Sequence, residues 1–279
     1  MEEIFFNIIS NELVLPGVSG THEFIHISDT HICCADALSN DAEREKAYKQ
    51  EKAWEPVREG FAHHFGEPFN DSHRIPTAAA AEKIFGYVRE RSPEMLLMTG
   101  DILDYCHPAG FRLLSGCLDT LGCGYLYTAG NHEDTYREST FGVKLISGAD
   151  SIGVHEGDGF TVAAIDDSRK AVSDECIGRL KALSAKGRPI ILMMHTPVCT
   201  AYNRDAMSKF GEYYLIDDRT ADENGRKLIE YILSPASHVS CILCGHVHGY
   251  SVSEFAPGRK QICASSAMAG FVHRLTVKG

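Results

Sequence analysis

The sequence predicts an α/β fold with two packed β-sheets and helices outside them. Two observations lead there. Short apolar runs bounded by Gly, Pro and Ser alternate with helical segments through most of the chain. The last stretch, from YSVSEF at 250–255 to FVHRLTV at 271–277, turns β-rich. Strand–helix alternation followed by a β-rich tail favours two sheets over a single open one. The chain has 279 residues, 44% of them hydrophobic, without an internal repeat, low-complexity tract or Pro/Gly/Ser linker, so it is read as one domain over 1–279.

Taken in order, the N-terminal stretch reads as a short hairpin and EFIHIS (23–28) as a strand. TAAAAEKIFGYVRER (77–91) spaces its apolar residues helically and places Arg near its end. MLLMT (95–99) is a strand, FRLLSGCLDTL (111–121) a helix, and GYLYTA (124–129) and FTVAAI (160–165) are strands. A helix around DECIGRLKALSAK (174–186) precedes the strand PIILMM (189–194), and the helix ENGRKLIEYIL (223–233) precedes the strand VSCILC (239–244). The tail reads as successive antiparallel strands. Residues 33–75 stand apart: polar, helix-prone in AEREKAYKQEKAWEPVREGF, and carrying the only tryptophan, Trp54. They interrupt a connection that usually takes a few residues, so they form an insertion and a candidate lid.

Charge and composition exclude several classes. A formal charge of −11 argues against general nucleic-acid or anionic-membrane binding, which relies on excess Lys and Arg. MEEIFFNIIS lacks the basic start and long apolar core of a secretory signal, and runs such as PIILMM are too short to span a bilayer. The ten cysteines are read as reduced, mostly buried thiols, which places the protein in the cytoplasm.

In open α/β sheets, ligand sites form beyond the carboxyl ends of strands. Five candidate strands end in oxygen or nitrogen ligands: Asp29 and His31 in DTH, Asp101 and Asp104 in GDILD, Asn131 and His132 in GNHE, His195, and His246 and His248 in GHVH. Any one of these could be an ordinary turn or helix cap, but five in the same topological place make coincidence a poor account. The set Asp29, His31, Asp101, Asn131, His195, His246 and His248 suits Mn, Fe, Zn or Co rather than Ca. Seven ligands exceed one ion and suit two, provided a carboxylate bridges; two-metal hydrolytic sites hold their ions roughly 3.5–4 Å apart. Two divalent ions against two carboxylates leave about +2 locally, a focus for a phosphate.

The ordered set DTH, GD, GNHE, a lone His ahead of Pro, and GHVH resembles the calcineurin-like metallophosphoesterase signature, from residue 29 to 248. The resemblance implies a pair of mixed β-sheets flanked by helices, a four-layer αββα sandwich. It implies that Asp29, His31, Asp101 and His248 surround one metal and Asp101, Asn131, His195 and His246 the other, with Asp101 bridging. It implies further that His132 faces the scissile phosphate, paired with Asp104. The expected cofactors are two divalent or trivalent ions of Mn, Fe or Zn, between which a hydroxide attacks phosphorus in line. His132, oriented by Asp104, would protonate the leaving oxygen.

Phosphoprotein phosphatases of this family carry Arg and then Gly after the second acid of the GD motif; here Tyr105 and Cys106 follow Asp104. A guanidinium grips phosphate bidentately and tyrosine cannot, which tilts the reading toward a singly charged diester. The ordered set also looks like that of bacterial cyclic-nucleotide phosphodiesterases, so the expected substrate is a small, nucleotide-like diester. A small-molecule monoesterase is the alternative, and Arg74 or Arg204 could supply a missing phosphate grip. From other classes come a catalytically silent scaffold and a structural zinc module in CILCGHVH, using Cys241, Cys244, His246 and His248. The module is disfavoured, since residues three apart on a strand face opposite ways. His63, His64 and His73 in the insertion are read as surface histidines, and Asp166 and Asp167 as turn residues that could support a ligand.

Overall fold

The structure, a computed structural model, describes residues 7–65, 75–133 and 141–279. A five-stranded sheet runs in the order β1 (Asn7–Val14), β13 (Phe271–Lys278), β2 (Thr21–Ile27), β3 (Met95–Thr99) and β4 (Gly124–Thr128). A six-stranded sheet runs β11 (Ser251–Ala256), β12 (Arg259–Cys263), β10 (Val239–Cys244), β7 (Ile190–Met193), β6 (Thr161–Ile165) and β5 (Ile152–Glu156). A two-stranded pair, β8 (Val198–Cys199) and β9 (Ile216–Asp217), stands apart. The helices are α1 (Asp41–Phe65), α2 (Thr77–Arg91), α3 (Pro108–Asp119), α4 (Asp174–Ser184), the single turn α5 (Arg204–Met207) and α6 (Glu223–Leu233).

Three apolar layers hold this together. Phe24, Leu97, Val162, Ile191, Cys241, Leu243 and Leu275 mesh between the sheets. Ile84, Phe85 and Val88 of α2 and Leu114 of α3 cover the outer face of the five-stranded sheet. Ile177 and Leu180 of α4 with Leu228 and Ile232 of α6 cover the other sheet. The central strands are therefore apolar on both faces, which is why MLLMT and VSCILC read as continuous runs. Local signals set the helix starts: the Ser173 side chain accepts from Cys176 N–H, and Asp222 from Gly225 N–H. The ten cysteines are all free thiols.

Both sheets are mixed, and pairing departs from the sequence reading at both ends of the chain. β1 does not form a hairpin with β2; it pairs in parallel with β13, which lies between them and runs antiparallel to β2. The tail is not a simple antiparallel run either. β11 and β12 are antiparallel, but β12 lies parallel to β10, and β13 crosses to the other sheet. Such long-range pairings leave no mark in local periodicity. β2, β3 and β4 run parallel, as do β6, β7 and β10. Each sheet thus delivers its carboxyl ends to one edge.

Helix α1 begins with a reciprocal capping box: Asn40 N–H donates to Glu43 Oε2, and Glu43 N–H to Asn40 Oδ1. Its inward face holds Ala47, Gln50, Glu51, Trp54 and Arg58, at helical spacing but largely polar. Glu51 docks it, accepting from Thr77 N–H and Oγ1–H at the start of α2 and lying 2.9 Å from Arg58 Nη1. No helix among the described residues is long and apolar enough to cross a membrane.

Candidate metal centre

The loops after β2, β3, β4, β7 and β10 converge, bringing side chains from both sheets to one place. Asp29, His31 and His248 form one group of potential metal ligands, and Asp101, His195 and His246 a second. In the first, His248 Nε2 lies 3.2 Å from Asp29 Oδ1 and 3.1 Å from His31 Nε2. In the second, His195 Nε2 lies 3.2 Å from Asp101 Oδ2, 3.2 Å from Asn131 Oδ1 and 3.1 Å from His246 Nδ1. Asp101 Oδ2 is also 4.0 Å from His31 Nε2, so it stands between the two groups. His31 joins a third group with Asp104 and His132.

The donor chemistry fits cations. His195 Nδ1 is 2.7 Å from the Thr99 carbonyl, so its N–H points there and the neutral ring presents a lone pair at Nε2. That lone pair meets a carboxylate oxygen and an amide oxygen, both acceptors, which repel it until positive charge enters. Burial disfavours an imidazolium at His195, yet the Asp101 carboxylate, with Asp29 and Asp167, pushes its pKa up to about 10. The His195 imidazole, with those of His31 and His132, holds Asp101 well below the ordinary carboxylate range, although burial opposes this. The pocket draws cations.

The backbone is shaped for this convergence. Asp29, His31, Asp101, His246 and His248 all have positive φ, between 45° and 67°. Left-handed conformations at non-glycine residues cost on the order of 1 kcal/mol or more each and persist where the surroundings enforce them. The glycines of GN and GH are required by close approach. A Cβ on Gly130 would collide with Asp101 Oδ1, and one on Gly245 with Ser28 Oγ and Asp29 Oδ2.

Further hydrogen bonds fix the ligands. His132 N–H donates to Asp101 Oδ1, and His246 N–H to Asp29. His132 Nδ1 lies 2.7 Å from the Asp104 carbonyl and 3.3 Å from Asp104 Oδ1; Nε2 then lies on the Asp101 side, 4.0 Å from Oδ2. Burial lowers the His132 pKa, but the Asp104 and Asp101 carboxylates outweigh it and raise it to about 9. Asn131 is exposed and His132 and His246 partly so, whereas Asp29, His31, Asp101 and His195 are buried. The open side of the centre is therefore the GNHE and His246 side.

All nine site residues read from the sequence lie in this cluster, with one change of emphasis. The Asp104 carboxylate does not serve His132 alone: Oδ1 is also 3.4 Å from His31 Nδ1. Several supporting groups escaped the sequence. Glu133, wholly buried, accepts from Asp101 N–H, Gly130 N–H, Leu103 N–H and Tyr127 O–H. Asp167, read as a turn residue that could support a ligand, does so by accepting from the N–H groups of His195 and Thr196. Trp54 and Gln50 donate to Asp104. The zinc module is not formed: Cys241 packs between the sheets, and Cys244 faces outward beside Cys263. Arg204 is committed to Asp217 and Asp218, so it offers no free phosphate grip. His73 and Arg74, with the side chains of His63 and His64, lie outside the described residues.

The model of the calcineurin-like phosphoesterase family matches residues 22–250. The chain belongs to that family. This phosphoesterase is 25% identical over 183 residues to a probable cyclic nucleotide phosphodiesterase of Synechococcus, a match covering 62% of this chain and 64% of the relative, just under two thirds of its length. Among solved structures it resembles a dimetal phosphatase from Danio rerio, with a TM-score of 0.56 at 13% identity, over 89% of this chain and 88% of that one. The likeness establishes the shared fold, two mixed sheets flanked by helices. The clustered carboxylates and imidazoles of this family member are suited to bind metal.

Proposed function

We propose that this phosphoesterase hydrolyses a small, nucleotide-like phosphodiester at a two-metal centre. The observation that carries the binuclear part is the position of Asp101 Oδ2, facing His195 Nε2 at 3.2 Å and His31 Nε2 at 4.0 Å. Asp29, His31 and His248 would hold one ion, Asn131, His195 and His246 the other, with Asp101 shared. Bound ions of Mn, Fe or Zn would neutralise charge on the phosphoryl oxygens and bring the pKa of water into the neutral range.

The chain's own groups do the rest. His132, held through Nδ1 at Asp104, carries a proton on Nε2 toward the leaving oxygen, a step worth roughly 10²–10⁴-fold. Asn131 and His132 at the open side meet the ester first. Diester preference is supported by the missing guanidinium: Tyr105 stacks on His107 at 4.2 Å beneath the Lys46 ammonium, and Arg204 is bound to carboxylates. The half-exposed ring of Tyr214, 5.7 Å from His246, gives the entrance a flat surface on which a base could stack. The relative's name as a probable cyclic nucleotide phosphodiesterase points the same way. The ten free thiols support a reducing, cytoplasmic setting.

The test compares kcat/KM for bis-p-nitrophenyl phosphate, p-nitrophenyl phosphate and a phosphoserine peptide, at neutral pH with Mn. Fastest turnover of the diester is expected. Preference for the monoester would overturn the diester assignment, and preference for the peptide would overturn the small-molecule assignment as well.

A further inference from the structure

The insertion does more than lie near the centre. Gln50 and Trp54 stand four residues apart on α1 and so share one face. Trp54 Nε1–H donates to Asp104 Oδ1 at 2.9 Å, and Gln50 Nε2–H donates to Asp104 Oδ2 at 2.9 Å. Each oxygen of one carboxylate thus receives a donor from the same helix, which fixes the plane of that carboxylate. In this orientation Oδ1 faces two imidazoles, His31 Nδ1 at 3.4 Å and His132 Nδ1 at 3.3 Å. The indole packs on the His31 ring at 4.3 Å and lies 5.9 Å from that of His248.

We propose that Trp54 and Gln50 are positioning residues for the His31 half of the centre, acting through Asp104. The inference rests on the two-metal reading above. Holding Asp104 Oδ1 toward His31 Nδ1 favours the N–H on that nitrogen and leaves the Nε2 lone pair for an ion; partners of this kind tune affinity by roughly 10–100-fold. Two donors on Asp104 also keep its carboxylate from swinging in as an extra ligand. The indole excludes water from the His31 face. No equivalent contact joins α1 to His195 or Asn131 among the described residues, so the effect is confined to one half.

The chain carries its own reporter, because Trp54 is the only tryptophan and sits against a candidate ligand. The metal-free full chain is titrated with Mn²⁺ alone, following tryptophan emission and, by electron paramagnetic resonance, free Mn²⁺. Wild type should bind two ions, with emission tracking one of them. Gln50→Leu keeps the reporter and should move the emission-linked step to about 10-fold higher Mn²⁺, leaving the other step in place. Trp54→Phe keeps an aromatic ring without the N–H; it lacks the reporter and should show the same one-step weakening by resonance. Unmoved steps in both variants would overturn the inference, as would equal weakening of both steps, which marks general loosening. Fewer than two ions on wild type would instead overturn the two-metal reading itself.

Discussion

The Glu133 carboxylate accepts the backbone N–H of Asp101 at 2.9 Å, joining the loop after β4 to the loop after β3 beneath the candidate metal centre. The same carboxylate takes Gly130 N–H, Leu103 N–H and Tyr127 O–H. Glu133→Ala leaves four buried donors without their acceptor, at about 1–3 kcal/mol for each that water cannot reach. We expect a loss on the order of 3 kcal/mol in urea unfolding, together with weakened metal binding because Asp101 loses its backbone anchor. A stability change under about 1 kcal/mol would show that Glu133 is not the clamp described.

Asp101→Ala removes the oxygen that faces both ligand groups. We expect the purified variant to retain essentially no metal by elemental analysis and no measurable hydrolysis. Two ions per chain in that variant would exclude a shared Asp101.

His132→Ala deletes a ring that donates through Nδ1 but preserves the backbone N–H that holds Asp101. Metal content should stay at the wild-type level while kcat falls by roughly 10²–10⁴-fold. Asp104→Asn should lower kcat less. It should also weaken one metal step, since the carboxylate faces His31 as well as His132. Loss of metal from His132→Ala would make that imidazole a ligand.

Replacing residues 33–75 by a short loop should alter KM or substrate preference through access to the centre, with stoichiometry unchanged at saturating metal. Unaltered kinetics across the ester panel would remove any gating role from the segment.

Much of the site was legible because chemistry and topology coincide in it. Each ligand follows an apolar strand, and the sequence prints that order directly. MLLMT, VSCILC and the helices at 77–91 and 223–233 were bounded to the residue, since burial on both faces or a clear apolar stripe marks them. β5 was missed: IGVHE is half exposed and opens beside a glycine, so neither alternation nor a continuous run appears. The parallel pairing of β1 with β13 joins opposite ends of the chain, which no local window contains. Glu133 was hidden, and Asp167 legible only as a turn residue that could support a ligand, for a different reason. Each supports the site by accepting backbone N–H groups, and backbone donors carry no letter. The docking of α1 escaped because its inward face is polar and satisfied by Asp104 and Thr77, where pattern reading looks for leucines.

The ligand groups draw on both sheets. Asp29, His31, Asp101 and Asn131 follow strands of one, and His195, His246 and His248 follow strands of the other. Cations seated among them would rivet two layers that elsewhere meet largely through interchangeable apolar contacts. Stripping the ions should therefore open a seam: amide exchange would rise first along the rim formed by the ends of β2, β3, β7 and β10, while the greasy interior between the sheets stayed protected.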